Sequence, residues 1–279
     1  MKKLIYIFIL FFFFIKFLYS QISFRFVVLG DSRTQTEIFN ECLNQINKLQ
    51  PPASFILHTG DFINGYKNIE KIKEEWEIMF FNPVKNNLKW KIPIYPVVGN
   101  HDICSDLKIY EFYLENIFPY TYYYFVFNNS LFIALNSEEI GYEGKISDTQ
   151  YNWLKKILEQ FKNEKFIKHK FVFVHRPFVP YKSHLDDSLN QDKKMFNKII
   201  NLFKEHKIDV IFAGHCHLFN KTFINGILQI ITGGAGAPLH SKEENEGVYH
   251  FLIVDVNENN FTIKLKDIEK SEPQLIFKK

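Results

Sequence analysis

Five short apolar runs in this chain each stop at a polar cluster. Phe24 to Leu29 leads into Gly30-Asp31-Ser32-Arg33, and Ser54 to His58 leads into Thr59-Gly60-Asp61-Phe62-Ile63-Asn64. Ile94 to Val98 leads into Gly99-Asn100-His101-Asp102. Lys170 to Val174 ends at His175-Arg176-Pro177, and Asp209 to Ala213 ends at Gly214-His215-Cys216-His217. Apolar runs of this length, bounded by turn residues, read as buried strands. Between them the period changes. Ile38, Phe39, Cys42, Leu43, Ile46 and Leu49 recur at three- and four-residue spacings, which marks one face of a helix, and Pro51-Pro52 closes it. Further helices are predicted over Ile69 to Phe80, from Ser147 (where Gln150 completes a capping box), and over Met195 to Phe203. Tyr122 to Phe127 and Leu131 to Leu135 flank Asn128-Asn129-Ser130 and predict a hairpin. From Lys221 onward only strand patterns remain: Lys221 to Ile224, Leu228 to Thr232, Val248 to Val256 and Phe261 to Leu265.

Alternating strands and helices followed by a run of strands predict an α/β sandwich with mixed sheets. Open α/β sheets place their ligand sites beyond the carboxyl ends of strands, so the five clusters are expected to meet at one edge. They would bring carboxylates, a carboxamide and the imidazoles of His101, His175, His215 and His217 together. Oxygen and imidazole donors without thiolate suit ions such as Zn, Mn or Fe(II). A Gly-Asp pair after a single strand is an ordinary turn; the weight lies in the joint pattern at five strand ends. His58 reads as a packed strand residue, and His184 and His240 lie in loops that can approach the site. Arg176 is a candidate phosphate contact or an ordinary ion.

In this order, Asp31, Asp61, Asn100-His101-Asp102, His175 and His215-Cys216-His217 resemble the calcineurin-like metallophosphoesterase superfamily. Its signature runs D-x-H, GD-x-x, GNH-D/E, H and GH-x-H. The stretch Thr232 to Pro238 is similar to a loop of the branch that holds the purple acid phosphatases, and the likeness covers about Phe24 to Phe251. It implies a four-layer α/β fold: two mixed β-sheets packed as a sandwich and flanked by helices. It also implies two metal ions, Mn, Zn or Fe. Asp61 would bridge them, Asn100, His175 and His215 would complete one site, and Asp31 and His217 would contribute to the other. The implied activity is metal-dependent hydrolysis of phosphate esters by hydroxide attack on phosphorus. A phosphomonoesterase leads, with a phosphodiesterase or nucleotide pyrophosphatase as the alternative. A non-catalytic metal- or phosphate-binding protein is the rival of another class. His101 would be the acid that protonates the leaving group, because imidazole titrates near physiological pH, and Asp102 would orient its ring.

One position departs from the pattern. Arg33 stands where many members carry a ligand histidine, and a guanidinium has no lone pair to give. The purple branch places a tyrosine three residues after the bridging aspartate; that position here is Asn64, with Tyr66 two residues on. Asn64 is therefore a candidate extra ligand through its amide oxygen, and Arg33 a candidate substrate contact. The first site is expected to hold metal more weakly.

Composition narrows the field further. Hydrophobic residues make up 46% and charged residues 23%, which excludes a disordered chain. With 12 Gly and 3 Cys, collagen-like and disulfide-scaffold classes are excluded too. Phenylalanine, at 31 residues, reads as core filler. Residues 1–20 differ from the rest: Lys2 and Lys3 precede an apolar run from Leu4 to Ile15, the pattern of a signal peptide or, failing cleavage, of a membrane anchor. Residues 21–279 would then form a single catalytic domain, exported from the cytoplasm. The formal charge of +3 equals the three lysines of that segment, which holds no acidic residue. A mature chain without net charge lacks the basic footprint of a polynucleotide binder. The expected partner is a small phosphorylated substrate, with no membrane partner beyond the N-terminal segment. Cys42, Cys104 and Cys216 form no C-x-x-C pair and read as inert thiols.

Overall fold

Strand β1 (Phe24–Leu29) shows how the phenylalanine-rich runs are used. Phe26 and Val28 face one core, Val27 and Leu29 face another, and all four are buried, as a strand covered on both sides requires. The computed structural model describes residues 23–88 and 92–279. The segment read as an export signal or anchor lies outside the described residues.

β1 is one of six strands in the first sheet. It pairs in parallel with β2 (Phe55–His58), which pairs in parallel with β3 (Ile94–Pro96). On its other side β10 (His250–Val256), β11 (Phe261–Asp267) and β12 (Gln274–Lys278) run antiparallel. The second sheet also has six strands. β5 (Ser130–Ala134), β6 (His169–Val174), β7 (Val210–Ala213) and β9 (Ile227–Thr232) are parallel, and β4 (Tyr123–Phe127) and β8 (Phe219–Ile224) close the two edges antiparallel. Both sheets are mixed, as expected.

The sheets face each other across a shared phenylalanine core. Phe26 stacks on Phe55 with ring centroids 5.3 Å apart, and both meet Phe132 edge-on at 5.2 Å. Such offset and edge contacts are the favoured aromatic geometries, worth roughly 0.5–1.5 kcal/mol per pair beyond burial. Helices cover the outer faces. α1 (Thr36–Asn47) lays Phe39, Cys42, Leu43 and Ile46 on the first sheet. α2 (Ile69–Glu75) passes through a π-helical stretch, Trp76–Phe81, into α3 (Asn82–Asn87), so the predicted helix runs past Phe80; Pro83 is tolerated because it falls in the first turn of α3. α4 (Asn100–Ile103) is a single turn, and α5 (Leu107–Asn116) buries Ile109 and Tyr113 on the same side. α6 (Asp148–Gln160), capped by Ser147 as predicted, and α7 (Lys193–Glu205) cover the second sheet.

The parallel strands set the site. β1, β2 and β3 of one sheet, and β6 and β7 of the other, deliver the five polar clusters to a common edge. None of the helices among the described residues is long and apolar enough to cross a membrane.

Candidate metal centre

Three of the clustered side chains leave their strands through an uncommon backbone conformation. Asp31, Asp61 and His215 have φ of 57°, 58° and 68°. This left-handed region is sparsely populated except by glycine, and Asp and His are among the residues that enter it most readily. The turn throws each side chain back over the strand ends. Glycine neighbours make room for them. A Cβ on Gly99 would lie 2.2 Å from Asp61 Oδ1, and one on Gly214 would lie 2.4 Å from Asp31 Oδ2.

Asp61 is fully buried and splits its oxygens between two half-sites. Oδ1 lies 3.4 Å from His175 Nε2 and Oδ2 lies 3.3 Å from Arg33 Nε. In the first of these halves, His175 Nδ1 donates to the Thr59 carbonyl at 2.8 Å, so the lone pair of its ring is on Nε2. That Nε2 lies 2.9 Å from Asn100 Oδ1 and 3.2 Å from His215 Nδ1. His215 in turn donates from Nε2 to Asp187 Oδ2 at 3.2 Å, which leaves its own lone pair on Nδ1. Asp61 Oδ1, Asn100 Oδ1 and His215 Nδ1 are therefore three acceptors gathered around a fourth, His175 Nε2. Burial keeps both rings neutral, His175 down to about 3 and His215 down to about 4. A cluster of lone pairs with no proton between them fits a cation. These four residues would hold a borderline divalent ion.

The second half is built differently. His217 donates from Nδ1 to the Pro238 carbonyl at 2.8 Å and turns Nε2 toward Asp31 Oδ1 at 3.6 Å. Atoms of Asp31, Asp61 and His217 lie within 4.8 Å of one another, close enough for an ion. Here, however, the Arg33 guanidinium already sits on Asp61 Oδ2. Its charge also reaches the other two. Burial and Asp61 push the Asp31 carboxyl well above its usual range and Arg33 pulls it back; burial and His240, then Arg33, hold His217 down to about 3. The expected weakness of this half is thus more than a missing ligand, because a fixed cation occupies its shared carboxylate.

Two sequence expectations are corrected at this point. Asp102 does not orient His101. Its oxygens accept from the backbone N–H groups of Gly99, Asp61 and Phe62 at 2.7, 3.0 and 2.8 Å, so it staples the β2 and β3 clusters together. The His101 ring is held instead by the Asn64 carbonyl, which accepts from Nδ1. Nε2 then faces Asp61 Oδ2 at 3.9 Å from a half-buried position at the mouth of the centre. Nor does Asn64 serve as an extra ligand, since its amide oxygen accepts from the Thr34 hydroxyl at 2.7 Å. Tyr66 is 46% exposed with Lys71 over its ring, which takes it out of the centre altogether.

Further residues complete the surroundings, and of these Glu138, Asp187 and Lys182 were not singled out from the sequence. Arg176 is no phosphate contact. Its Nε and Nη2 bind Glu138 at 2.6 and 2.8 Å, and its Nη1 reaches Asp187. Glu138, Arg176, Asp187 and His215 thereby form one chain, buried except at the half-exposed Asp187, that ends on a candidate ligand. A histidine ligand is commonly fixed this way by a partner on its other nitrogen. His184 and His240 do reach the rim, with rings 4.0 Å from those of His215 and His217. Lys182, bonded to Glu243 and Glu246, ties the His184 loop to the His240 loop. His58 is packed, stacked on Phe62 at 3.6 Å. Cys42, Cys104 and Cys216 are all free thiols.

The family model for calcineurin-like phosphoesterases matches residues 24–219. The chain belongs to that family. Among curated relatives, bovine serine/threonine-protein phosphatase CPPED1 is 26% identical over 197 residues, 67% of this chain and 61% of that protein. The chain thus matches about three fifths of that relative's length. The protein named probable glycerophosphodiester phosphodiesterase GpdQ of Arcobacter nitrofigilis is 26% identical over 213 residues, 71% of this chain and 68% of that protein. Among solved structures, a purple acid phosphatase, PPD1, from yellow lupin superposes with a TM-score of 0.70 at 13% identity, over 93% of this chain and 54% of that one. GAP50 of Plasmodium, described as the anchor in the inner membrane complex, gives a TM-score of 0.67 at 18% identity, over 92% and 88% of the two chains. These likenesses show the family's two-sheet sandwich. The family normally carries a dinuclear metal site, and candidate ligands for it are present in this chain.

Proposed function

We propose that this phosphoesterase is a metal-dependent hydrolase of small phosphate esters, phosphomonoesters first. The observation that carries the reading is the four-acceptor cluster of Asp61, Asn100, His175 and His215, set beside a half-exposed imidazole. When bound there, a divalent ion supplies Lewis acidity: it polarises the phosphoryl group and makes water nucleophilic near neutral pH. The chain's own residues do the rest. The Asn64 carbonyl fixes the His101 ring with Nε2 toward the centre, where the imidazole can hand a proton to the departing oxygen. Asp187 and the Thr59 carbonyl fix the tautomers of His215 and His175, so their lone pairs point inward without rearrangement. Both named relatives support phosphoester chemistry, one as a phosphatase and one as a phosphodiesterase.

The second of these names is why diesters remain the alternative substrate class. The test is phosphate or alcohol release from a panel of monoesters and diesters, with Mn, Zn or Fe(II) supplied and then removed by chelator. Turnover of monoesters that vanishes on chelation is expected; turnover of diesters alone would transfer the assignment to the alternative, and none on any substrate would favour a metal-binding protein. For location, the reading is export, supported by the pattern of residues 1–20. Protein from the native host should begin near residue 21; full-length chain released only by detergent would support an anchor instead.

A further inference from the structure

We infer that Arg33 is the resident cation of the second half-site, and that the centre holds a single metal ion in the Asn100 half. The argument starts from the two ends of Asp61. At Oδ1 the His101 backbone N–H donates one hydrogen bond at 3.1 Å, while the side-chain atoms on that side, His175 Nε2 and beyond it Asn100 Oδ1 and His215 Nδ1, present only lone pairs, which a cation from solution would satisfy. At Oδ2 the cation is covalently part of the chain, 3.3 Å away, with its side chain only 15% exposed. A guanidinium stays protonated at every pH a protein survives, so it cannot vacate its charge to admit an ion. Neither candidate replacement ligand compensates. The Asn64 amide oxygen is engaged by Thr34, and Tyr66 lies outside on the surface. What the half-site retains, Asp31 and His217, faces the Arg33 charge. The family's usual dinuclear arrangement and the residues present therefore disagree in this half and agree in the other.

This inference deepens the reading of the centre as a metal-dependent phosphoester site, but its test needs no turnover. Wild type and variants are stripped with chelator, equilibrated with Mn²⁺ or Zn²⁺ alone, freed of unbound metal, and assayed for bound metal per chain, with thermal melts to verify folding. Wild type is expected to hold one ion. His217→Ala should hold the same, since it alters the half that takes none. Arg33→His should hold two, and Arg33→Ala should admit a second ion at higher concentration, because Asp31, Asp61 and His217 are then free to bind it. With Mn²⁺, wild type should give the electron paramagnetic spectrum of an isolated ion and Arg33→His that of a spin-coupled pair. Two ions in wild type would overturn the inference, as would a fall in metal content in folded His217→Ala. So would equal content in wild type and both Arg33 variants. A protein that binds one ion and hydrolyses nothing would defeat the proposed function while leaving this inference standing.

Discussion

In the Asn100 half of the centre, three lone-pair donors gather around a fourth with no positive side chain among them. Across Asp61, in the Asp31 half, a guanidinium already rests on the same carboxylate. The contrast follows from one position, Arg33, in an otherwise matched set of motifs. It teaches that two ends of one buried carboxylate can be neutralised by different means. On the proposed reading, one end depends on an ion from outside and the other carries its counter-charge in the sequence. The first would be emptied by a chelator and the second would not.

The largest expected effects therefore fall on the Asn100 half. Asn100→Ala and His215→Ala should each abolish tight metal binding and lower phosphoester turnover by orders of magnitude. Metal content and initial rates check this, and near-normal values in either variant would erase the distinction between the halves. Next comes His101→Ala, expected to lower turnover by about 10²–10⁴-fold. The loss should shrink for esters with good leaving groups, which need little protonation, while metal content stays at the wild-type level. A uniform loss across leaving groups would mean that the ring positions substrate instead. Asp187→Ala comes third. It removes the partner of His215 Nε2, and loss of such a partner typically costs roughly 10–100-fold in metal affinity. Asp187→Glu should recover part of that loss, and a metal titration of both variants shows whether it does.

The smallest effect concerns protons. Burial lowers His175 to about 3 and His215 to about 4, so both rings are neutral in the folded chain far below the usual imidazole range. A proton competes with metal only once the pH falls through those values. Metal should accordingly be retained as the pH is lowered from 7 to about 5, where an ordinary imidazole of pKa about 6.5 would already be mostly charged. Dialysis at stepped pH followed by metal analysis measures this; release beginning near pH 6.5 would show that the rings are not shielded as described.

Much of the centre was legible because its members sit at strand ends, where sequence position translates directly into place. Asp31, Asp61, Asn100, His175, His215 and His217 each follow an apolar run, and the parallel strands bring them to one edge. Asp187 was not legible. It lies in a loop of no periodicity, twelve positions after His175, and only the path of that loop brings it onto His215. The true partner of His101 was hidden for another reason: it is a backbone carbonyl, which any residue at 64 would offer. Asp102 misled because adjacency in sequence suggested contact, whereas the single turn of α4 points the two side chains to different neighbours. The fold shows the same division. The buried strands were clear, but α5 was missed because only Ile109 and Tyr113 of its ten residues are fully buried, leaving a weak apolar stripe. The edge strand β12 has no fully buried residue and thus no alternation to read.

The left-handed backbone at Asp31, Asp61 and His215 has a consequence for how such a chain can change over generations. A residue other than glycine held there costs on the order of 1–3 kcal/mol, and the fold carries that burden three times at one edge. Replacement by glycine would relieve it at each position and destroy a ligand at the same time. Drift without selection for the chemistry should therefore run toward a sturdier, inert scaffold, and a laboratory search for thermal stability alone would be drawn to the same three positions. Aspartate, aspartate and histidine at these positions are what a working centre would demand of a backbone that glycine would release from strain.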